Sequence, residues 1–157
     1  MIVIAVIGIL AVVLVPKMAS VKDSAKVAGV MTNVKSVQSF VTANIDQWAT
    51  NNTSVADIAT SVYQNFSGTN NGVQNPFSSS YAIDSTAGGT GPGSSLGTGD
   101  AIHIINSTIG NNGSPYTPTG TEGTVVVGIP AGYVTTEIDV AGVDNKGNII
   151  NKMILQP

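Results

Sequence analysis

The chain has no cysteine and no arginine, a single histidine, and few residues that are aromatic (5%) or charged (10%). Without cysteine there is no disulfide, no thiolate zinc site and no thiol nucleophile, so the fold must be held by core packing, sheet hydrogen bonds or a metal. Without arginine, and with a formal net charge of −3, there is little for nucleic-acid phosphates to bind, and specific nucleic-acid binding is not expected. The charge is unevenly spread. Lys17, Lys22, Lys26 and Lys35 outnumber Asp23 and Asp46 before residue 50, whereas only Lys146 and Lys152 face the acids that follow. Lysines just beyond an apolar run are usually interface anchors or helix-surface charges rather than a polyanion site.

Catalytic patterns are also missing. The many glycines do not meet the G-x-G-x-x-G or Walker spacing and lack the flanking strand and helix that phosphate binding requires. His103 lies in Ile102-His103-Ile104-Ile105, where alternation turns it away from Ile102 and Ile104; it reads as a surface or satisfied strand histidine rather than a base or ligand. No nucleophile-elbow spacing supports a Ser-His-Asp triad, and an enzyme is not expected. Phe40, Trp48 and Tyr63 are read as core rather than as an electron path or a base-stacking platform.

What is present is an apolar beginning. Met1 to Val15, MIVIAVIGILAVVLV, is apolar or glycine throughout, which the surface of a soluble monomer does not tolerate. As one helix it would span ~22 Å, short of the ~30 Å core of a bilayer. It lacks the basic start and small-residue cleavage site of a secretory signal. Pro16 removes a helical hydrogen bond and Gly8 is a second weak point, so a kink is expected between them. Residues 1–26 form a protruding stem, and residues 27–157 form a globular head, one domain with an adequate core at 42% hydrophobic content.

Val27, Val30, Val34, Val37, Val41, Ile45 and Trp48 recur at spacings of three and four, which predicts an amphipathic helix with that face laid on a sheet. Its other face carries Lys22, Asp23, Lys26, Asn33, Lys35, Ser36, Gln38 and Ser39, and Asn51-Asn52 is a plausible stop. Val55, Ile58, Ala59, Val62, Tyr63 and Phe66 predict a short second helix capped by Thr53 or Ser54. Residues 67–100 read as a long surface loop in which only Tyr81 to Ile83 pairs briefly, and deletion of Gly88 to Gly97 is expected to be tolerated. Strands are expected at Ala101 to Ile105, Thr124 to Ile129, Tyr133 to Val143 and Ile149 to Leu155, the last two joined by the hairpin turn Asp144 to Asn148. The fold class is α+β: a long N-terminal helix, kinked or melted near Gly8–Pro16, packed on an antiparallel sheet over residues 101–157.

The run Ile2-Val3-Ile4-Ala5-Val6-Ile7-Gly8-Ile9-Leu10-Ala11, followed by Pro16 and a long amphipathic helix, closely resembles the start of a mature bacterial type IV pilin or pseudopilin. Beyond that helix the resemblance is one of general plan, with Asn75-Pro76-Phe77 similar to a tripeptide in the middle loop of some pilins. Two features depart from the family. Its members usually begin about six residues earlier, with an N-methylated aromatic residue and a glutamate, which would lengthen the apolar segment to about 21, enough to span a bilayer. The chain is therefore expected to lack its mature start and the leader removed by the prepilin peptidase. The cysteine pair that closes the C-terminal loop of many pilins is also absent.

The resemblance implies a structural subunit of an extracellular type IV pilus, a fimbrial polymer serving adhesion, motility or DNA uptake. The chain would begin as a single-pass precursor in the bacterial inner membrane, where an assembly platform builds it into a homopolymer on the cell surface. Ile2, Ile4, Ile7, Gly8, Leu10, Leu14 and Pro16 would form the polymerisation core, with melting between Gly8 and Pro16 after assembly. The alternatives are the major pseudopilin of a type II secretion system and a monomeric membrane-anchored binding domain. No cofactor is expected. Asp139, Asp144, Asn145 and Asn148 offer oxygens for calcium, as in calcium-binding pseudopilins, but without EF-hand spacing they read as turn residues. Asn51, Asn52, Asn65, Asn106 and Asn112 each open an N-x-[ST] triplet that permits glycosylation.

Overall fold

A single apolar stripe decides how the chain folds. In the computed structural model, which describes residues 2–68, 72–85, 99–106, 109, 122–130 and 137–157 (excepting the side chains of 12–19 and 85), α1 runs from Ile2 to Thr50. Val30, Val34, Val37, Val41, Ile45 and Trp48 are buried along one face of it, and Val27 is half-buried where that face ends. Each such side chain removed from water is worth roughly 1.5–3 kcal/mol. The helix stops where Asn52 enters the left-handed region at φ 49°. The Thr53 amide then donates to Trp48 O at 2.9 Å and the Asn52 amide to Ala49 O at 3.2 Å, satisfying two terminal carbonyls in a Schellman arrangement.

In the single chain α1 is not melted between Gly8 and Pro16, because the helix is continuous through both residues. Proline removes one hydrogen bond, and long helix on either side maintains the rest of the ladder cooperatively. Gln38 also departs from the expected polar face. It is buried, and its Nε2 donates at 3.2 Å to the carbonyl of Asn151, which sits at φ 52° where the sheet register slips. A bulge turns that carbonyl out of the ladder and toward the helix.

After α1 comes α2, Val55–Phe66, capped by Ser54, whose side chain accepts from the Asp57 amide and donates to the Asp57 carboxylate. Val55, Ile58, Ala59, Val62 and Phe66 are buried, while Tyr63 is exposed and is not part of the core as expected. Phe40 meets Phe66 and Trp48 edge-on at 5.4 and 6.0 Å, tying α2 to the end of α1.

The sheet contains β1 (Ile83–Ser85), β2 (Ile102–Ile105), β3 (Val125–Gly128), β4 (Ile138–Val143) and β5 (Ile149–Leu155), side by side in that order. It is mixed rather than antiparallel: β1–β2 and β2–β3 pair parallel, and only β3–β4 and β4–β5 pair antiparallel. Residues 86–101 and 106–124 are long enough for the crossovers that parallel neighbours demand, whereas the turn at residues 144–148 closes a hairpin. The expected strand at Tyr133 to Val143 begins at Ile138 among the described residues, and the expected pairing at Tyr81 to Ile83 moves to Ile83–Ser85.

Both faces of the sheet are covered. Ile102, Ile104, Val125, Val127, Ile138 and Val140 join the α1 core, while Ile105, Ile109, Val126, Ala141 and Val143 form a second cluster on the far side. That is why Val125–Gly128 reads as an unbroken apolar run and not an alternating one. The stretch from 67 to 100 is also more than a surface loop, since Val73, Asn75, Ile83, Asp84 and Asp100 are all buried. Gly88 to Gly97 lies outside the described residues, as does Asn112.

Helix and sheet approach closely at Gly142. A Cβ there would lie 2.8 Å from Val34 Cγ2 and 2.9 Å from Val30 Cγ1, and β-branched side chains on a helix have almost no alternative rotamer to retreat into. Gly142→Val is therefore expected to destabilise the head by about 1–3 kcal/mol through overpacking. Thermal unfolding of the full chain in detergent, followed by circular dichroism, checks this; an unchanged melting temperature would contradict the close approach.

Candidate functional site

Two parts of the molecule carry features that packing alone does not account for: the free half of α1, and a polar cluster beneath the loops that feed β1, β2 and β3. In α1, every residue from Ile2 to Ala11 is exposed. Among the expected polymerisation residues Ile2 is 81% exposed, Ile4 74%, Ile7 60% and Leu10 53%, and nothing lies within 4 Å of where a Gly8 side chain would begin. Leu14 and Pro16 lie on the helix, with their side chains outside the described set. Exposure on every side of a helix, with no apolar partner among the described residues, is the signature of a surface made for contact. Among the described residues no helix is long and apolar enough to cross a membrane.

The second feature is organised by Asn75. Its side chain is fully buried, with Nδ2 directed at the carbonyls of Gly99, Asp100 and Glu122 at 3.2, 2.9 and 2.9 Å. Its Oδ1 accepts from the amides of Phe77 and Ser78 at 2.8 and 3.3 Å. One amide thus joins the segment before β1 to the segments that enter β2 and β3. Gly123, at φ 82°, is required beside it, because a Cβ there would lie 2.3 Å from Asn75 Oδ1. The next residues dock the segment on α1: Pro76 lies against Gly29, the Lys26 ammonium stands 4.9 Å over the Phe77 ring, and Asn33 Nδ2 donates to Gln74 O at 2.8 Å.

By fixing the Asp100 carbonyl, which also accepts from Thr124 Oγ1 at 2.7 Å, this network positions the Asp100 side chain. Parallel pairing sets Asp84 of β1 directly beside His103 of β2. Asp84, Asp100 and His103 consequently offer three ligand atoms within 4.8 Å of one another, at exposures of 5%, 8% and 1%. Burial, reinforced by the Asp84 charge, pushes the Asp100 carboxyl above the ordinary aspartate range. Burial also holds His103 below the ordinary histidine range, with the Asp84 charge opposing it in part. His103 is not a surface residue as one expectation had it, since it lies among the far-side cluster beside Val126.

The residues considered for calcium do not converge. Asp139 lies near the start of β4 and Asp144 just past its end, about 16 Å apart at ~3.3 Å per extended residue. Asp139 is buried, 3.3 Å from the Lys152 ammonium, and accepts from the Ile109 amide at 2.7 Å, while Lys152 also donates to Ile109 O. Asp144 belongs to its turn, accepting from the Lys146 and Asn148 amides at 2.8 Å each and from Asn148 Nδ2 at 3.0 Å. Burial alone would raise its pKa, but these hydrogen bonds and the Lys146 charge outweigh it and hold the carboxyl below the usual range. Asn145 is exposed at the tip of the same turn. The triplet asparagines Asn51, Asn52, Asn65 and Asn106 are exposed.

Replacing Asn75 tests its role as the hub. Asn75→Ala strands several buried carbonyls and amides at roughly 1–3 kcal/mol each and is expected to lower stability by about 2–4 kcal/mol. Asn75→Asp, though the same shape, turns a donor into an acceptor facing three carbonyls and is expected to cost at least as much. Denaturant unfolding of the full chain in detergent measures both, and a loss below 1 kcal/mol for either would contradict the assignment. No protein-family model matches the chain, and neither a curated protein nor a solved structure matches it.

Proposed function

We propose that the chain is a structural subunit of an extracellular type IV pilus filament, in which the free halves of many α1 helices bundle as the core and the heads form the outer layer. The observation that carries this reading is the unbroken exposure of apolar residues from Ile2 to Ala11 on a helix whose later half, from Val30, is committed to its own sheet. Polymerisation then buries the first half without disturbing the head. Several side chains such as Ile4, Ile7 and Leu10, each worth roughly 1.5–3 kcal/mol on burial and repeated along a filament, outweigh the entropy of ordering subunits.

The resemblance of the first fifty residues to pilins supports the same reading, and with it the inner-membrane precursor, the prepilin peptidase and the assembly platform. In this role the protein is a building block and not a catalyst. On this reading the stem melts between Gly8 and Pro16 only after the bilayer is exchanged for neighbouring subunits, where lateral contacts replace the lost helical hydrogen bonds.

Ile7→Lys is the direct test, because a lysine there would be buried in the filament without a partner. The variant, expressed in the native host, is expected to form no surface filaments by electron microscopy while its head remains folded by circular dichroism. Normal filaments from that strain would contradict a stem-packed core. Native cells that place the wild-type chain in short secretion fibres, with no long surface filaments, would replace the pilus by a pseudopilus.

A further inference from the structure

The Asp84–Asp100–His103 cluster is buried, and the filament reading gives it no role. Both carboxylates are buried beside an imidazole, and among the described residues no cation accompanies Asp100, whose Oδ2 is buried and has no hydrogen-bond partner. A carboxylate oxygen left dry and unpartnered close to a second carboxylate is costly, and either a proton or a cation between the two relieves that cost. Two carboxylates and one imidazole are a ligand set suited to a divalent transition metal, with the imidazole favouring zinc over calcium or magnesium.

The geometry agrees. Ligand atoms around a tetrahedral zinc stand about 3.3 Å apart, given bonds of about 2.0–2.1 Å, and the three ligand atoms of the cluster already lie within 4.8 Å of one another. Backbone order supports it as well. Asp84 and His103 are fixed by strand register, and Asp100 is fixed through a carbonyl that Asn75 and Thr124 both grip. Asp100, at 8% exposure, is the most accessible of the three.

We propose that Asp84, Asp100 and His103 bind one divalent metal ion of the zinc class, which ties β1 to the entry of β2. The ion takes the place of a covalent cross-link in a head that has no cysteine. It links two parallel neighbours that pair over only three residues. This site is independent of the filament reading and holds whether or not the chain polymerises.

The test uses the full chain, purified in detergent without a histidine tag, stripped with a chelator and titrated with zinc chloride. One zinc per chain is expected, with the melting temperature raised by about 5–10 °C at a hundredfold excess over the dissociation constant. Asp100→Asn and His103→Gln should each weaken binding at least tenfold. No saturable binding, or the same affinity in folded variants, would overturn the site. Should either variant fail to fold, X-ray absorption by the zinc-loaded wild type decides: His103 is the sole histidine, so scattering from one imidazole identifies it, and its absence rejects the proposal.

Discussion

The contact between the valine face of α1 and the sheet is what the rest of the head depends on. β1, β2 and β3 have only three or four residues each, too few for their hydrogen bonds to hold a sheet together in water. The sheet persists because Ile102, Ile104, Val125, Val127, Ile138 and Val140 are pressed against Val30 to Trp48, and because Gly142 lets the two layers meet without a side chain between them. The same contact divides α1. From Val30 the helix has a face that is satisfied within the chain, and from Ile2 to Ala11 every side chain is exposed. A single helix thereby serves as the spine of a domain and, at its start, as an exposed apolar rod.

Polar groups do the finer positioning. Asn75 gathers carbonyls from two distant segments, Gln38 reaches across to the bulge at Asn151, and Lys152 meets Asp139 beside Ile109. The head thus has a hydrophobic core on each face of the sheet and a hydrogen-bonded seam at the edge where β1 and β2 begin. That edge, lacking any disulfide, is where the buried carboxylates and the histidine collect.

Much of this was legible from residue patterns, and the parts that were not share a cause. The stripe from Val27 to Trp48 has a period that only a helix explains, Ser54 with Asp57 announces a helix start, and Asp144 to Asn148 is a turn by its chemistry. All three are local. Parallel pairing of β1, β2 and β3 is not local: strand direction depends on how glycine- and serine-rich connections return, and such connections have no periodicity to read. The antiparallel expectation followed the one visible hairpin and extended it too far. Asn75 stood out in sequence only as part of Asn75-Pro76-Phe77, with nothing to mark its side chain as a hub, although Pro76 and the nearby Gly123 become informative once the docking on Gly29 is known. His103 was placed correctly on the face opposite Ile102 and Ile104, but nothing in sequence brings Asp84 to it, since their meeting is a matter of register. Pro16 was expected to weaken and kink α1 by a local rule, and in the single chain the cooperativity of a 49-residue helix keeps the backbone helical through it.

An exposed apolar rod on a folded head has one physical requirement, that other apolar matter surround it on every side. The absence of native cysteine makes this directly measurable, since single cysteines placed at Ile2, Ile4, Ile7 and Leu10, and one at exposed Asp46 as a control, are the only thiols in the molecule. Surface appendages sheared intact from the native host are treated with a water-soluble maleimide before and after dissociation in detergent. If the stem helices form the filament core, all four stem positions remain unlabelled in intact filaments and react once the filaments are dissolved, while the Asp46 position reacts in both. Labelling of the stem positions in intact filaments would contradict a core built from α1.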